Sequence, residues 1–453
     1  MPHSWSAGLH HALPAFTLWL LAGCLPAATQ PTLAPRASTA AIRAEVAPSP
    51  ETSPSPLETP SITNTPSIRF PQGEPDLSSI SYRIPLTIRH VAQDRVSLFF
   101  ELSEPSSGAV YLLPARQDAL PQEADLSPSE VEHRINFAGL KPGTSYRVVV
   151  ALGGTQDHLL QPNFLGRAWG PVELKTLPDG GEVRFAVIGD ASFGDPTTRD
   201  LIGKMADADI EFVLHAGDVV DETDGGDPYD SYAAKFYDVF EPVLRTGPVY
   251  TVPGNHDYDP DIRYMGEPFY FHAFPPFPDP LYPTQADDTR NQFYEFEVAG
   301  VRFLMLDSQV LFGAPGREAE SEWLKQRLSE PVYRATIVVV HVAPFSSSSV
   351  HPTDSLAVRS AWVPLFEQAK VAAVISGHFH QYERITVNGI PYLVTGGGSS
   401  TLYAQGAMLP QSQVFRRQSH FLLGDIQGDS LTLTAIGLSG QTLDQLVIPL
   451  EGE

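Results

Sequence analysis

The sequence predicts an α/β domain behind an all-β sandwich, and three observations carry that expectation. From Val183 onward, short apolar runs alternate with helical stretches, the pattern of parallel strands covered by helices. From about Tyr82 to Leu177, short strands and turns follow one another without a helical stretch between them. Side chains able to hold a metal sit just after the later apolar runs, at the strand ends where ligands gather in open α/β sheets.

A chain of 453 residues is long enough for two or three domains and a buried core. Residues 12–21 are apolar and lead into Leu21-Ala22-Gly23-Cys24. The stretch is too short to span a bilayer and resembles a lipoprotein signal, cut before Cys24 with a lipid then placed on that cysteine. No Lys or Arg precedes Cys24, so the usual basic start of such a signal is missing, and a cleaved secretory signal is the alternative. Cys24 is the single cysteine, which excludes an internal disulfide. Residues 24–76 are rich in Pro, Ser, Thr and Ala and nearly free of aromatic residues. Such a stretch buries too little apolar surface to order itself and reads as a tether.

Residues 77–178 form the expected sandwich. Residues 95–101 and 145–150 read as strands and 140–144 as a turn, which suggests an immunoglobulin-like or fibronectin-III-like fold with a packing role. Residues 179–453 carry the rest. Strand 183–188 leads to Asp190, 212–214 to Asp218, 249–252 to Asn255, 335–340 to His341 and 371–375 to His378. Helices are expected at 197–208, 229–244, 318–328 and 358–368. The late strands 431–436 and 446–450 are expected in a second, mixed sheet.

Asp190, Asp218, Asn255, His341, His378 and His380 offer two carboxylates, an amide oxygen and three imidazoles. That mix suits one or two divalent transition metals. Two such ions close together clamp the attacking and leaving oxygens of a phosphoryl transfer. The net charge of −24 opposes binding of a nucleic-acid polymer, whereas a small phosphate ester would meet the local positive charge of the metals.

The blocks Gly254-Asn255-His256-Asp257, Gly377-His378-Phe379-His380-Gln381-Tyr382-Glu383-Arg384 and His341-Val342-Ala343-Pro344-Phe345-Ser346-Ser347, the last followed by His351, resemble the calcineurin-like metallophosphoesterase superfamily. Within it they are most similar to the purple acid phosphatase branch, over about residues 82–453. The resemblance implies a four-layer αββα sandwich preceded by a fibronectin-III-like domain. It further implies that Asp218 bridges two metals, that Asp190 and His380 hold the first, and that Asn255, His341 and His378 hold the second. His256 would donate a proton to the leaving oxygen, Asp257 would orient a neighbour, and His351 would face the substrate, with a solvent-exposed role as the alternative.

Two departures bear on the first metal. The superfamily often has a histidine two residues after its first aspartate, where this chain has Ser192; the purple branch has a tyrosine three residues after its second, where this chain has Asp221. The missing phenolate implies a colourless protein preferring Mn, Zn or Fe(II). Asp221 either binds the first metal or hydrogen-bonds His256, and the second role is favoured; Ser192 and Asp195 are weaker candidates for that site. His215 reads as a satisfied interior histidine, Glu383 and Arg384 as a structural pair, and residues 258–294 as an insertion able to wall a substrate pocket. The expected function is an extracytoplasmic, acid phosphatase-like phosphomonoesterase. A phosphodiesterase or nucleotide phosphatase on the same site is the alternative, and a surface binding protein with a degraded first metal site is the third reading. Oligomeric state is not legible in the sequence.

Overall fold

The computed structural model describes residues 76–450, except 117, 156–157, 222–225, 261–262, 265, 276–292 and 331–333. The expected signal, Cys24 and nearly all of the tether lie outside the described residues, as does much of the 258–294 insertion. Among the described residues, no helix is long and apolar enough to cross a membrane.

Nine strands between Asp76 and Lys175 form the all-β region. Its longest strand, Asp76–Val91, pairs in parallel with His158–Phe164 through its first residues and antiparallel with Arg95–Leu102 from Tyr82 onward. Leu98, Phe100, Val110, Leu112, Val148 and Val150 share one core beneath these pairings. Tyr146 Oη accepts from the backbone N–H of Lys141 at 3.0 Å, the contact of a tyrosine corner. The region docks on the rest of the chain through apolar contacts, such as Phe164 against Tyr237, and through polar ones. Buried Glu101 accepts from Tyr229 Oη at 2.9 Å, and His90 Nδ1 lies 2.9 Å from Tyr250 Oη.

Two sheets follow. In the first, Val249–Thr251, Phe212–His215 and Val183–Ile188 run parallel, and His420–Gln427, Ser430–Gly437 and Thr442–Pro449 continue it antiparallel. In the second, Val301–Leu306, Ala335–Val342, Ala373–Gly377 and Ile390–Thr395 run parallel, flanked by antiparallel Tyr294–Val298 on one side and Tyr382–Val387 on the other. The late strands therefore extend the first sheet instead of building the second. Their alternating burial fits either sheet, and a long-range pairing, Val183 with Ile426, decides the matter.

The second sheet shows how period-two alternation builds four layers. Phe303, Met305, Ile337, Val339, Ala373 and Ile375 face the first sheet. Leu304, Leu306, Val338, Val340 and Val374 face outward onto Trp323, Leu324, Val358, Trp362 and Phe366 of the covering helices. Between the sheets, Phe185 stacks on Phe212 at 5.0 Å, and Phe303 meets both edge-on at 5.5 and 5.8 Å. Helix Pro196–Ala206 covers the first sheet with Leu201, Ile202 and Met205. The helix expected at 358–368 is two, Ser355–Ala361 and Val363–Ala369. Pro364 lacks an N–H and its ring crowds the preceding turn, so it starts a new helix instead of continuing the old one.

Replacing Phe303, fully buried among three other aromatic rings, with alanine is expected to cost about 3–5 kcal/mol of stability. Denaturant unfolding should show this as a lower midpoint, whereas Leu120→Ala, at an 81% exposed position, should leave the midpoint in place.

Candidate metal centre

Each expected ligand lies at or just past the carboxyl end of a buried strand, and the backbone there is unusual. Asp190, Asp218 and His378 have φ of 58°, 54° and 68°. Left-handed backbone at a non-glycine residue costs of order 1–3 kcal/mol and persists only where the surroundings impose it. The adjoining glycines make room. A Cβ on Gly254 would lie 2.1 Å from Asp218 Oδ1, and one on Gly217, itself at φ 90°, would lie 2.4 Å from His341 Nδ1.

The two sheets bring all six residues together. His341 Nδ1 donates to Ala216 O at 2.8 Å, which leaves Nε2 as an acceptor 3.1 Å from Asn255 Oδ1 and 3.4 Å from Asp218 Oδ2. His380 Nδ1 donates to Thr401 O at 2.9 Å, and its Nε2 lies 3.3 Å from Asp190 Oδ1. His378 Nε2 donates to Asp354 Oδ2 at 3.1 Å, and its Nδ1 lies 3.0 Å from Asn255 Oδ1. Three imidazole lone pairs therefore face oxygens that are themselves acceptors. Asp190, Asp218, His341, His378 and His380 are buried and Asn255 is exposed, and such a cluster favours a positive charge at its centre, either protons or metal ions. The donor set and the outward N–H bonds that fix each ring suit a divalent metal ion. The ligand atoms of Asp190, Asp218 and His341 all lie within 4.8 Å of one another.

Electrostatics follow from this crowding. Burial works against the Asp218 charge, but His341, His256 and His378 outweigh it and hold the carboxyl well below the usual range. Burial likewise opposes an imidazolium at His341, yet Asp218 and Asp190 prevail and push it up to about 9. His378 goes the other way, to about 4, through burial and repulsion from His341. Asp257 is fully buried; burial and the Asp218 charge push it up to about 7. Its carboxyl accepts from Gly254 N at 2.8 Å and Val219 N at 3.1 Å, which ties the asparagine loop to the Asp218 loop.

The remaining candidates lie around this cluster. His256 is half-buried, and its backbone N–H donates to Asp218 Oδ1 at 3.0 Å. Asp221 is engaged by Lys235 Nζ at 3.2 Å. His351 is exposed with its ring 5.1 Å from that of His378, and its Nδ1 lies 3.6 Å from Asp354 Oδ2. Ser192 is buried. The oxygens of Asp195 cap helix Pro196–Ala206 through Thr198 N at 2.8 Å and hold Ser400 N at 3.0 Å.

Glu383 and Arg384 do not pair with each other. They are neighbours on one strand and point to opposite faces, Glu383 to Ser347 N at 2.8 Å and Arg384 to Asp444 at 2.6 Å. His215 is interior as expected but unsatisfied: among the described residues neither ring nitrogen has a hydrogen-bond partner, and burial pushes it down to about 4, which keeps it neutral.

Two residues at the site went unread in the sequence. Asp354 orients His378 and approaches His351; the spacing His351-x-x-Asp354 was the available signal. Tyr403 stacks flat on His380 at 4.2 Å and had no local signal.

Comparison with known proteins points to one family and fold. The calcineurin-like phosphoesterase family profile matches residues 183–382. Purple acid phosphatase 22 of Arabidopsis thaliana is 26% identical over 336 residues, 69% of this chain and 73% of that protein. Purple acid phosphatase 21 of the same plant is 27% identical, over 56% of this chain and 53% of its own length. The structure of purple acid phosphatase PPD1 from yellow lupin seeds superposes with a TM-score of 0.62 at 17% identity, over 81% of this chain and 74% of that one.

Gly254→Ala is expected to displace Asp218 and lower the bound metal measured by elemental analysis, with the protein still folded. Metal must replace the proton that Asp218 holds on His341 up to about pH 9, so apparent affinity should rise with pH toward that value. Calorimetric titrations near pH 7, in buffers of different ionisation enthalpy, should report proton release; no release would contradict this account.

Proposed function

Because residues 183–382 form a calcineurin-like phosphoesterase domain, we propose that this chain is a metal-dependent phosphomonoesterase, acid phosphatase-like and working outside the cytoplasm. The observation that carries the reading is the set of three imidazole acceptors turned toward Asp190, Asp218 and Asn255. Asp190 and His380 would hold one ion, Asn255, His341 and His378 a second, with Asp218 between them. When bound, the ions supply Lewis-acid charge for the phosphoryl oxygens and lower the pKa of the attacking water.

In the hydrolysis, water oxygen bonds to phosphorus, the ester P–O bond breaks, and the leaving alcohol takes up a proton. His256 is the proposed donor of that proton, placed beside Asp218 by its own backbone bond. Ala216 O, Thr401 O and Asp354 keep the three other imidazoles in the tautomers that coordination needs. Asp221, paired with Lys235, either completes the first site or orients His256. His351, on the outer side of His378, faces the substrate in this reading. The tyrosine corner at Tyr146 supports a fibronectin-III-like assignment for the N-terminal strands, whose role is to support the catalytic domain. Export on a lipidated Cys24 completes the proposal; Cys24→Ser should move the protein from the membrane fraction to the soluble one.

The test is metal content together with para-nitrophenyl phosphate turnover. His256→Ala should keep its metal and lose about 10²–10⁴-fold in kcat, whereas His341→Ala should lose metal and activity together. Asp221→Ala that keeps its metal but slows places Asp221 on His256, and loss of one ion places it on the metal. Hydrolysis of the bis ester faster than the monoester would make the enzyme a phosphodiesterase. A folded, metal-loaded protein inert toward every ester would refute the proposal.

A further inference from the structure

The two loops that carry Asp190 and Asp218 run side by side, with Asp190 N donating to Gly217 O at 3.1 Å. A lysine from a covering helix joins them. Pro228–Tyr232, Ala233–Tyr237 and Asp238–Leu244 follow one another without a break, and the middle turn is π-helical, with Asp238 N donating to Ala233 O. A turn of that kind holds one residue more than an α-turn and is frequent at functional sites. Here Phe236 and Tyr237 stay in the core while Lys235 reaches out to Asp221. The backbone of Lys235 packs on the Asp190 loop: a Cβ on Gly194, itself at φ 61°, would lie 3.1 Å from Lys235 Cα. Its Nζ lies 3.2 Å from Asp221 Oδ1, on the Asp218 loop.

Asp221 follows Asp218 by three residues, so their Cα atoms lie within about 11 Å of each other. The intervening Val219 N and Val220 N both donate to the Asp257 carboxyl, which holds that stretch in place. The side chains of Lys235 and Asp221 are 20% and 12% exposed, so salt and water screen the pair less than they would at the surface. Charge then decides what the pair does. Asp190, Asp218 and His380 offer the first metal two carboxylates and one imidazole, enough to balance a divalent ion. Asp221 would add a third negative charge, but an ammonium and a metal ion compete for the same carboxylate, and Lys235 already engages it.

We infer that Lys235 is a positioning residue that holds Asp221 out of the first metal site, leaving the ion there with Asp190, Asp218 and His380 as its protein ligands. This assignment rests on the metal-site reading above, and metal binding is read apart from turnover so that the two can fail separately. The metal-free full chain is titrated with Mn²⁺ by calorimetry. Lys235→Met keeps the length of the side chain and removes its charge. It should tighten Mn²⁺ binding at one site about tenfold, within the range that residues behind metal ligands control. Its preference for trivalent Ga³⁺ over Mn²⁺ should also exceed that of wild type, because an added carboxylate attracts the higher charge more strongly. Lys235→Arg, which restores the charge, should bind as wild type does. So should Asp221→Asn combined with Lys235→Met, which removes the pair and both its charges.

Lys235→Met that binds Mn²⁺ no more tightly than wild type, or that leaves the Ga³⁺ preference unchanged, would overturn the inference. A double variant that loses one ion would overturn it too, since Asp221 would then be a ligand already. If Lys235→Met does not fold, the double variant decides alone: wild-type binding supports the role of Lys235, and a lost ion refutes it. If wild type takes up no divalent ion, the metal-site reading and the role of Lys235 fall together. If wild type binds metal and hydrolyses no phosphate ester, the phosphoesterase reading falls, and the affinities still decide what Lys235 does.

Discussion

The carboxylate of Asp218 and the imidazole of His341 face each other in the interior, 3.4 Å apart, and they come from different sheets. Neither could be buried there alone, because an isolated charge or lone pair in a dry interior is costly. The contact therefore depends on both sheets ending at the same level, and it marks where the two halves of the sandwich must register. Asp190 makes the same demand on the other side: its oxygens accept from the backbone N–H of His378 at 2.9 and 3.1 Å, again across the sheets. The inter-sheet aromatic core of Phe185, Phe212 and Phe303 fixes that register from below.

Backbone strain recurs at the ligand candidates. Three of the six ligand candidates adopt left-handed backbone, and glycines beside them admit the neighbouring side chain at distances no Cβ would allow. Asp257 offsets part of this cost, since its buried carboxyl joins the backbone of the two loops that carry Asp218 and Asn255. Its raised pKa reflects burial and the neighbouring Asp218, the consequence of placing a structural carboxyl under a functional one. Asp307 and Glu320 repeat the arrangement. Burial pushes Asp307 up to about 7, and Glu320 Oε1 accepts from Asp307 N at 2.8 Å, so the loop after the strand beside that of His341 is anchored from the interior.

Legibility divided along physical lines. The strands leading to Asp190, Asp218, His341 and His378 were readable because a fully buried strand is a short apolar run, and the ligand type comes directly after it in the chain. Asp195 was ambiguous in the sequence because an acidic residue before a helix caps it as readily as it binds a metal, and only the arrival of Ser400 completed its partners. Glu383 and Arg384 misled because adjacent opposite charges suggest a pair, whereas on a strand adjacent side chains part to opposite faces.

By itself the sequence determined the candidate ligands, their place at strand ends, and the two replacements at Ser192 and Asp221. All of these are local, fixed by residue type and by position after an apolar run. Only the tertiary structure decided that the late strands complete the first sheet, that Asp354 and Tyr403 hold His378 and His380, and that a cleft opens beside Tyr258. Those features join residues far apart in the chain, and a side chain's partner is set by which strands meet across the core, a choice that no local period encodes.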